Sequence, residues 1–339
     1  MKKIISMIII ALISATMLGC NKSTLTVGIL IYDGSDTFMC ELVNKIQNNS
    51  IGLDINFEIR DGENSQSIQN KQIIDLLDDN VSMLIINAVD RQACSAIIEK
   101  SQKKNLPIVF INREPLIGDM SYEKAYYVGA EVDSLGQKQA DMVADLVGEN
   151  FLGSIYDKNN DGVIQLVVLK GEQGHQDAEK RTVNCIERLR ERFGKDAVVN
   201  LATKNADWRR DKGYEVMEQL YEEFDNIELV FSNNDDMALG AIDYMKEIGQ
   251  FEKNTQSFNQ PIIIVGVDGT EDGLNAIEQG FMYGTVLNDS SNQARACLEI
   301  ARCVLFDKNW DNFTFKWTNQ KYIYIDGEII LRADLDKYR

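Results

Sequence analysis

Residues 25–39 read LTVGILIYDGSDTFM. The first seven are an unbroken apolar run of strand length, as expected for a strand buried on both faces. A polar turn follows, and helical spacing begins at Thr37. One strand, one turn and one helix form the opening unit of an alternating α/β chain, and the unit recurs downstream. LDINFEI (53–59) reads as a second strand and IQNKQIIDLLDD (68–79) as a helix. SMLIIN (82–87), an amphipathic stretch from Arg91 to Lys104, and PIVFIN (107–112) continue the pattern. A βαβαβαβ order predicts a parallel sheet with helices on both faces and right-handed crossovers.

After AYYVGAEV (125–132) a second series begins. Its predicted strands are VIQLVVL (163–169), VVNLAT (198–203), IELVFSN (227–233), PIIIVGV (261–267) and YGTVLN (283–288), with helical stretches at 177–193, 207–224 and 235–249. The two series share an architecture without being a sequence repeat. A length of 339 residues suits two domains. The predicted fold class is therefore α/β, with two doubly wound parallel-sheet lobes.

Composition narrows the partners. There are 53 acidic against 35 basic residues, a formal charge of −18. Phosphate neutralisation needs clustered Lys and Arg, so a nucleic-acid partner is excluded. Lys2 and Lys3 precede an uncharged, mostly apolar run from Ile4 to Thr16. That run is shorter than the ~20 residues of a bilayer span but fits the core of an export signal. Met17-Leu18-Gly19-Cys20 follows, and residues 1–20 resemble a bacterial lipoprotein signal with Cys20 lipidated. The protein is expected on the outer side of the cytoplasmic membrane, held by that anchor. The other five cysteines, Cys40, Cys94, Cys185, Cys297 and Cys303, are odd in number and widely spaced. They read as small buried hydrophobes, neither a disulfide framework nor a zinc site.

In doubly wound sheets, ligands sit where strand carboxyl ends run into loops. The residues just past the predicted strands are Asp36 and Phe38, Asn112, His175 with Asp177, Asn234, Asp268 and Asn288. Arg181 follows in GHQDAEKR (174–181), and Trp208 stands in NADW at the start of a predicted helix. Asp, Asn, His and Arg offer several donors or acceptors each, which suits a sugar whose hydroxyls both donate and accept. The C–H faces of a sugar pack on flat rings, so Phe38 and Trp208 are either ligand stackers or core aromatics. His175 is the only histidine. There is no GxSxG elbow, P-loop or GxGxxG. Composition leaves a glycosidase carboxylate pair open, but polar residues spread over six or seven strand ends point to capture rather than to one reaction centre.

Residues 157–168, DKNNDGVIQLVV, raise a separate question. Asp157, Asn159, Asp161, the Val163 carbonyl and Gln165 occupy places 1, 3, 5, 7 and 9 of a calcium loop, with Gly162 at the turn. Place 12 should be Glu and is Val168. The segment is either a calcium loop completed from elsewhere or a metal-free DG turn.

The stretches SDTFM, FINREP, KAYYVG, DKNNDGVIQ, LKGEQGHQDAEKRT, NNDDMALGA, VGVDG and GTVLNDSSNQA together resemble the bacterial periplasmic galactose/glucose-binding proteins. These are type I periplasmic binding proteins that serve methyl-galactoside ABC transporters, and the likeness runs from about Leu25 to the C-terminus. It implies two lobes, 24–131 plus 288–324 and 132–287 plus 325–339, joined by a three-segment hinge. It implies that D-glucose or D-galactose lies between Phe38 and Trp208, with Asp36, Asn112, His175, Asp177, Arg181, Asn234, Asp268 and Asn288 as polar contacts. It also implies that Glu228 supplies the missing calcium carboxylate, so that a structural calcium is held by Asp157, Asn159, Asp161, Val163, Gln165 and Glu228. Expected partners are a membrane permease and a chemoreceptor, with no catalysis and a monomeric chain. The family's soluble members lack the lipid anchor, and FEKNTQSFNQ (251–260) and TNQKYIYIDGEII (318–330) depart from its pattern. Rival readings are a receptor of the same fold with a changed ligand, one used only for signalling, and an exported sugar hydrolase.

Overall fold

The computed structural model describes residues 24–116 and 118–339. Cys20 and the apolar run before it lie outside the described residues. The first series forms β1 (Leu25–Ile31), α1 (Thr37–Asn49), β2 (Ile55–Asp61), α2 (Gln66–Asp78), β3 (Met83–Ile86), α3 (Cys94–Lys103), β4 (Ile108–Ile111) and β5 (Ala125–Ala130). Val27 to Ile31 of β1 and all of β3 and β4 are buried, as a strand covered on both faces must be. Ser65 starts α2 by accepting the Ile68 N–H, one of the four that a helix start leaves unpaired.

The second series forms α4 (Val132–Val147), β6 (Ile164–Lys170), α5 (Gln176–Phe193), β7 (Val198–Asn205), α6 (Arg210–Glu223), β8 (Leu229–Ser232), α7 (Asp235–Glu247), β9 (Ile263–Asp268), α8 (Glu271–Gln279) and β10 (Gly284–Leu287). The chain ends with α9 (Ser290–Phe306), β11 (Tyr322–Ile325) and β12 (Ile329–Leu331). Helices α4 and α8 fall outside the helical stretches expected from the sequence, although α4 buries one continuous side; α9 carries Cys297 and Cys303 on the helix expected around them.

Two six-stranded sheets result, in the orders β11-β5-β4-β3-β1-β2 and β12-β10-β9-β8-β6-β7. Every neighbour is parallel except β12, which runs antiparallel to β10. Each order reverses direction once, between β1 and β3 and between β6 and β8, and that reversal opens a crevice at the strands' carboxyl ends.

The chain passes between the sheets three times. It leaves β5 for α4, which packs on the second sheet; it leaves β10 for α9, which packs on α1; and it leaves β11 for β12. β11 pairs with β5 through Ile325, so the third passage begins one residue later than the predicted boundary at 324. The five cysteines are free. Four are buried as predicted. Cys40 is only half-buried, because it lies on the cleft end of α1, and its thiol donates to the Gly34 carbonyl.

One helix contact in the second lobe is unusually close. A Cβ on Gly240 of α7 would stand 2.0 Å from the Arg210 carbonyl oxygen and 2.6 Å from the Tyr214 nitrogen, both of α6. Glycine at 213 and 240 lets the two backbones nearly touch. Arg210, the first residue of α6, is two residues from Trp208.

Candidate functional site

The crevices of the two sheets face each other across one cavity. Its wall contains Asp36, Phe38 and Asn112 from the first lobe, and His175, Asp177, Arg181, Trp208, Asn234 and Asp268 from the second. Asn288, on the passage from β10 to α9, completes the predicted set of ten. Two further residues line it that sequence reasoning missed, Tyr32 and Arg113. Each directly follows or nearly follows a strand, so their position was the available signal.

Three wall residues also cap helices. Asp36 accepts the Met39 N–H at 2.8 Å at the start of α1. His175 Nδ1 accepts the Asp177 N–H at 3.1 Å at the start of α5. Asn234 Oδ1 accepts the Met237 N–H at 2.9 Å at the start of α7, while its Nδ2 donates to the Trp208 carbonyl. Helices that start at strand carboxyl ends thus deliver their caps to the cavity.

Backbone strain gathers here too. Asn112, Trp208 and Asp268 have φ of +59°, +66° and +124°. Side chains rarely adopt these values, and the last lies outside even the left-handed helical region. Asp268 is held there by a hydrogen bond from Asn288 Nδ2 at 3.1 Å and by the Asn288 N–H on its carbonyl.

A hydrogen-bond network fixes the polar groups before any ligand arrives. Tyr32 donates its hydroxyl to Asp36 Oδ2 at 2.7 Å. Asn112 Oδ1 accepts from Asn87 Nδ2 at 3.1 Å. Arg181 reaches Asp177 Oδ2 at 3.1 Å and the Asn233 carbonyl at 2.7 Å, and it lies 3.8 Å from Asp268 Oδ1. Among the described residues its Nε has no hydrogen-bond partner. Asn288 Oδ1 accepts from Gln293 at 2.7 Å. His175 meets Trp208 edge to face at 5.1 Å, and Arg181 lies 5.7 Å from the Trp208 ring centre.

Burial raises the pKa of the Asp36 carboxyl, which the Tyr32 hydroxyl and Met39 N–H oppose. Burial likewise raises Asp177, and Asp268 well above the carboxylate range, with Arg181 pulling both back down. Burial, then Arg113 and Arg181, hold His175 well below the usual imidazole value. His175 is therefore neutral at pH 7. With Nδ1 accepting, its proton sits on Nε2 as a donor. The wall offers three carboxyl acceptors and a set of amide, imidazole and guanidinium donors, which matches a neutral polyol better than an ion.

The depressed histidine makes a testable prediction. The unfolded chain takes up a proton near the ordinary value of about 6.5 while the folded chain does not. This group's contribution to stability is therefore unchanged above that pH and falls as pH drops below it. The single imidazole should show no NMR titration shift between pH 8 and about 6.5 in folded protein. A normal titration curve would refute its burial as a neutral donor.

The lobes close over the cavity through contacts of their own. Arg113 of the first lobe stacks on Tyr32, 3.9 Å from the ring centre, and pairs with Glu172 of the second at 2.7 Å. Gln176 donates to Glu114 at 3.1 Å.

The loop 157–165 lies in the second lobe, between α4 and β6. Gly162 takes φ +74° at the turn. Glu228 reaches the loop from the position just before β8: its two oxygens accept the Lys158 and Gln165 N–H groups, each at 2.9 Å. Asp157 accepts from Asp161 and Gly162, and Asp161 accepts from the Asn159 and Gln165 amides. The six predicted ligand residues are thus gathered around one turn, with their carboxylates turned to N–H donors. Among the described residues, no three His, Cys, Asp or Glu side chains converge as a metal-holding group. Asp157 and Glu228 are nonetheless buried, with the Lys158 ammonium near Glu228. Burial raises the Glu228 carboxyl. Two buried carboxylates beside amide and carbonyl oxygens fit a hard divalent ion.

Comparison with known proteins bears on the fold and family. A model of the periplasmic binding protein domain matches residues 27–309. The D-galactose/methyl-galactoside binding periplasmic protein MglB of Haemophilus influenzae is 36% identical over 86% of this chain and 84% of its own. A putative rhizopine-binding protein of Rhizobium meliloti is 26% identical over 100% of this chain and 99% of its own. Among solved structures, an ABC transporter solute binding protein from Bacillus halodurans with bound myo-inositol superposes with a TM-score of 0.74 at 23% identity, over 94% of this chain and 98% of that one.

Proposed function

Because this chain belongs to the periplasmic binding protein family, a family of solute-binding receptors rather than enzymes, we propose that it captures D-glucose or D-galactose between its lobes and delivers the sugar to an ABC transporter permease. The observation that carries this reading is the single cavity at which ten polar and aromatic residues from both lobes meet. In it, Phe38 and Trp208 pack on the two faces of the sugar ring. Asp36, Asp177 and Asp268 accept from hydroxyls; Asn112, His175, Arg181, Asn234 and Asn288 donate to them. The unpartnered Arg181 Nε gains a partner when sugar binds, since a buried donor left unpaired costs about 1–3 kcal/mol. The name of the 36% identical relative supports galactose over other sugars.

Closure follows from the division of the wall. An open form keeps only one lobe's contacts with the sugar, whereas the closed form has both, so ligand shifts the population toward closure. The closed shape is what a permease recognises, and a chemoreceptor would read the same shape. The chain is exported and held to the membrane through lipid on Cys20.

Calcium belongs to the same reading as a structural ion. Asp157, Asp161 and Glu228 give it charge; Asn159, Gln165 and the Val163 carbonyl complete an oxygen shell. It pins the entry to β6 and takes no part in sugar binding. Removing it with EGTA should lower the melting temperature measurably, because an ion present at ~100 times its dissociation constant adds about 2.7 kcal/mol. Glu228→Gln should behave the same with or without EGTA. A melting temperature indifferent to EGTA and to added calcium would mean a metal-free turn.

The sugar test is calorimetry on protein freed of carried-over ligand, with glucose, galactose, methyl-galactoside, ribose and myo-inositol as titrants. One-to-one binding of glucose or galactose is expected. Heat only with ribose or myo-inositol would assign the cavity to another polyol and overturn the hexose reading.

A further inference from the structure

In the first sheet the cavity lies at the carboxyl ends of parallel strands, so the opposite end of that lobe is built from the segments that enter them. The chain itself enters there. The Leu25 N–H donates to the Asp54 carbonyl at 3.0 Å, which seats the start of β1 against the loop 50–54 before β2. That loop carries Ile51, which is 86% exposed. The segment 307–321 enters β11 at the same end, because β11 is parallel to β5 and through it to the rest of the sheet. It carries Trp310, 40% exposed.

Trp310 is not a stray ring. It sits 5.7 Å from Phe313, 5.9 Å from Trp317 and 5.8 Å from Tyr126, while Phe313 and Trp317 stack at 4.7 Å. Phe313, Trp317 and Leu53 pack on the same core cluster under α1 and α9. The exposed ring is thus held on an ordered aromatic platform, and little side-chain freedom remains to be lost on contact. The two exposed groups belong to one face.

Charge on that face is balanced, unlike the chain as a whole. Segments 50–54, 79–82, 104–107, 121–124 and 307–321 hold five lysines and five acidic residues, against a formal charge of −18 overall. An anionic surface would not repel this end as it would the rest of the molecule. Tryptophan is the residue that settles at the headgroup level of a bilayer, and here it stands on a face of no net charge.

The sequence supplies the remaining constraint. Only four residues stand between Cys20 and Leu25, so the two are five chain steps apart, a reach of at most ~18 Å. β1 and β11 are four strand spacings apart, ~19 Å. A lipid on Cys20 therefore holds the whole end of the lobe within reach of the membrane surface.

We infer that the strand-entry end of the first lobe is a membrane-resting face, with Trp310 and Ile51 set into the headgroup layer beside the lipid on Cys20. The inference rests on the anchor proposed above and not on which sugar fills the cavity. In this pose the cavity faces away from the bilayer and the second lobe stands above the first.

The test uses the full chain, purified from membranes with its anchor and reconstituted in phosphatidylethanolamine/phosphatidylglycerol vesicles with plain or brominated acyl chains. Bromine quenches tryptophan only on close approach. One of three tryptophans lies at the interface, so brominated lipid should remove up to about one third of the emission. Trp310→Phe should abolish most of that loss, and Ile51→Glu should reduce it, with sugar binding intact in both. Equal emission in the two lipids, or quenching unchanged by Trp310→Phe, overturns the inference. Mass analysis of the N-terminal peptide separates the premise: an unlipidated Cys20 removes the tether and overturns it as well, while leaving the sugar reading standing.

Discussion

Asp177→Ala should weaken glucose or galactose binding by at least about 100-fold in calorimetry, with the circular dichroism of the folded chain unchanged. The carboxylate is buried and accepts from Arg181 at 3.1 Å, which aims its remaining acceptor capacity at the cavity. Hydrogen bonds to charged groups are worth about 1.5–3 kcal/mol each, and about 1.4 kcal/mol is tenfold in affinity, so losing two such bonds exceeds a hundredfold. The fold survives because Arg181 keeps the Asn233 carbonyl at 2.7 Å and Asp268 nearby. Affinity within about threefold of the parent would mean that Asp177 orients Arg181 without touching sugar.

Gly240→Ala should lower the melting temperature by about 4–8 °C, counting about 2–4 °C per kcal/mol for a unit of roughly 150–250 residues such as the second lobe. Two effects oppose each other. Alanine gains about 1 kcal/mol of helix propensity over glycine. The new Cβ, however, would stand 2.0 Å from a carbonyl oxygen and 2.6 Å from a backbone nitrogen of α6, and neither can rotate aside. Overpacking costs about 1–3 kcal/mol, and a backbone clash belongs at or above the top of that range, so the net loss is about 2 kcal/mol. The shift of α6 carries Arg210 with it and so disturbs Trp208, two residues upstream. Sugar affinity should fall along with stability. An unchanged melting temperature would show that the two helices slide apart without cost.

The alternation of apolar runs with helical spacing made the two sheets readable, because a strand buried on both faces leaves a continuous apolar signature. β11 and β12 were harder. Residues 322–325 and 329–331 belong to different sheets, and only three-dimensional pairing assigns them.

The site was legible wherever a polar residue ended an apolar run. Tyr32 escaped because a tyrosine closing a strand reads as more strand; what marks it is the hydroxyl on Asp36, four residues on. Arg113 escaped because a cation in a loop reads as solvated. Its burial depends on Tyr32 beneath it and Glu172 across the cleft, both far away in sequence.

The caps at Asp36, His175 and Asn234 divide the cavity wall into two kinds of position. A change at Asp177, Arg181 or Asn288 alters recognition first. A change at a cap also unpairs a helix start, a loss of about 0.5–2 kcal/mol before any ligand is considered. Divergence toward a new sugar would therefore be channelled: the non-capping side chains can drift, while the capping three stay fixed for reasons of folding. Relatives that hold different ligands should then agree at the helix starts and differ between them.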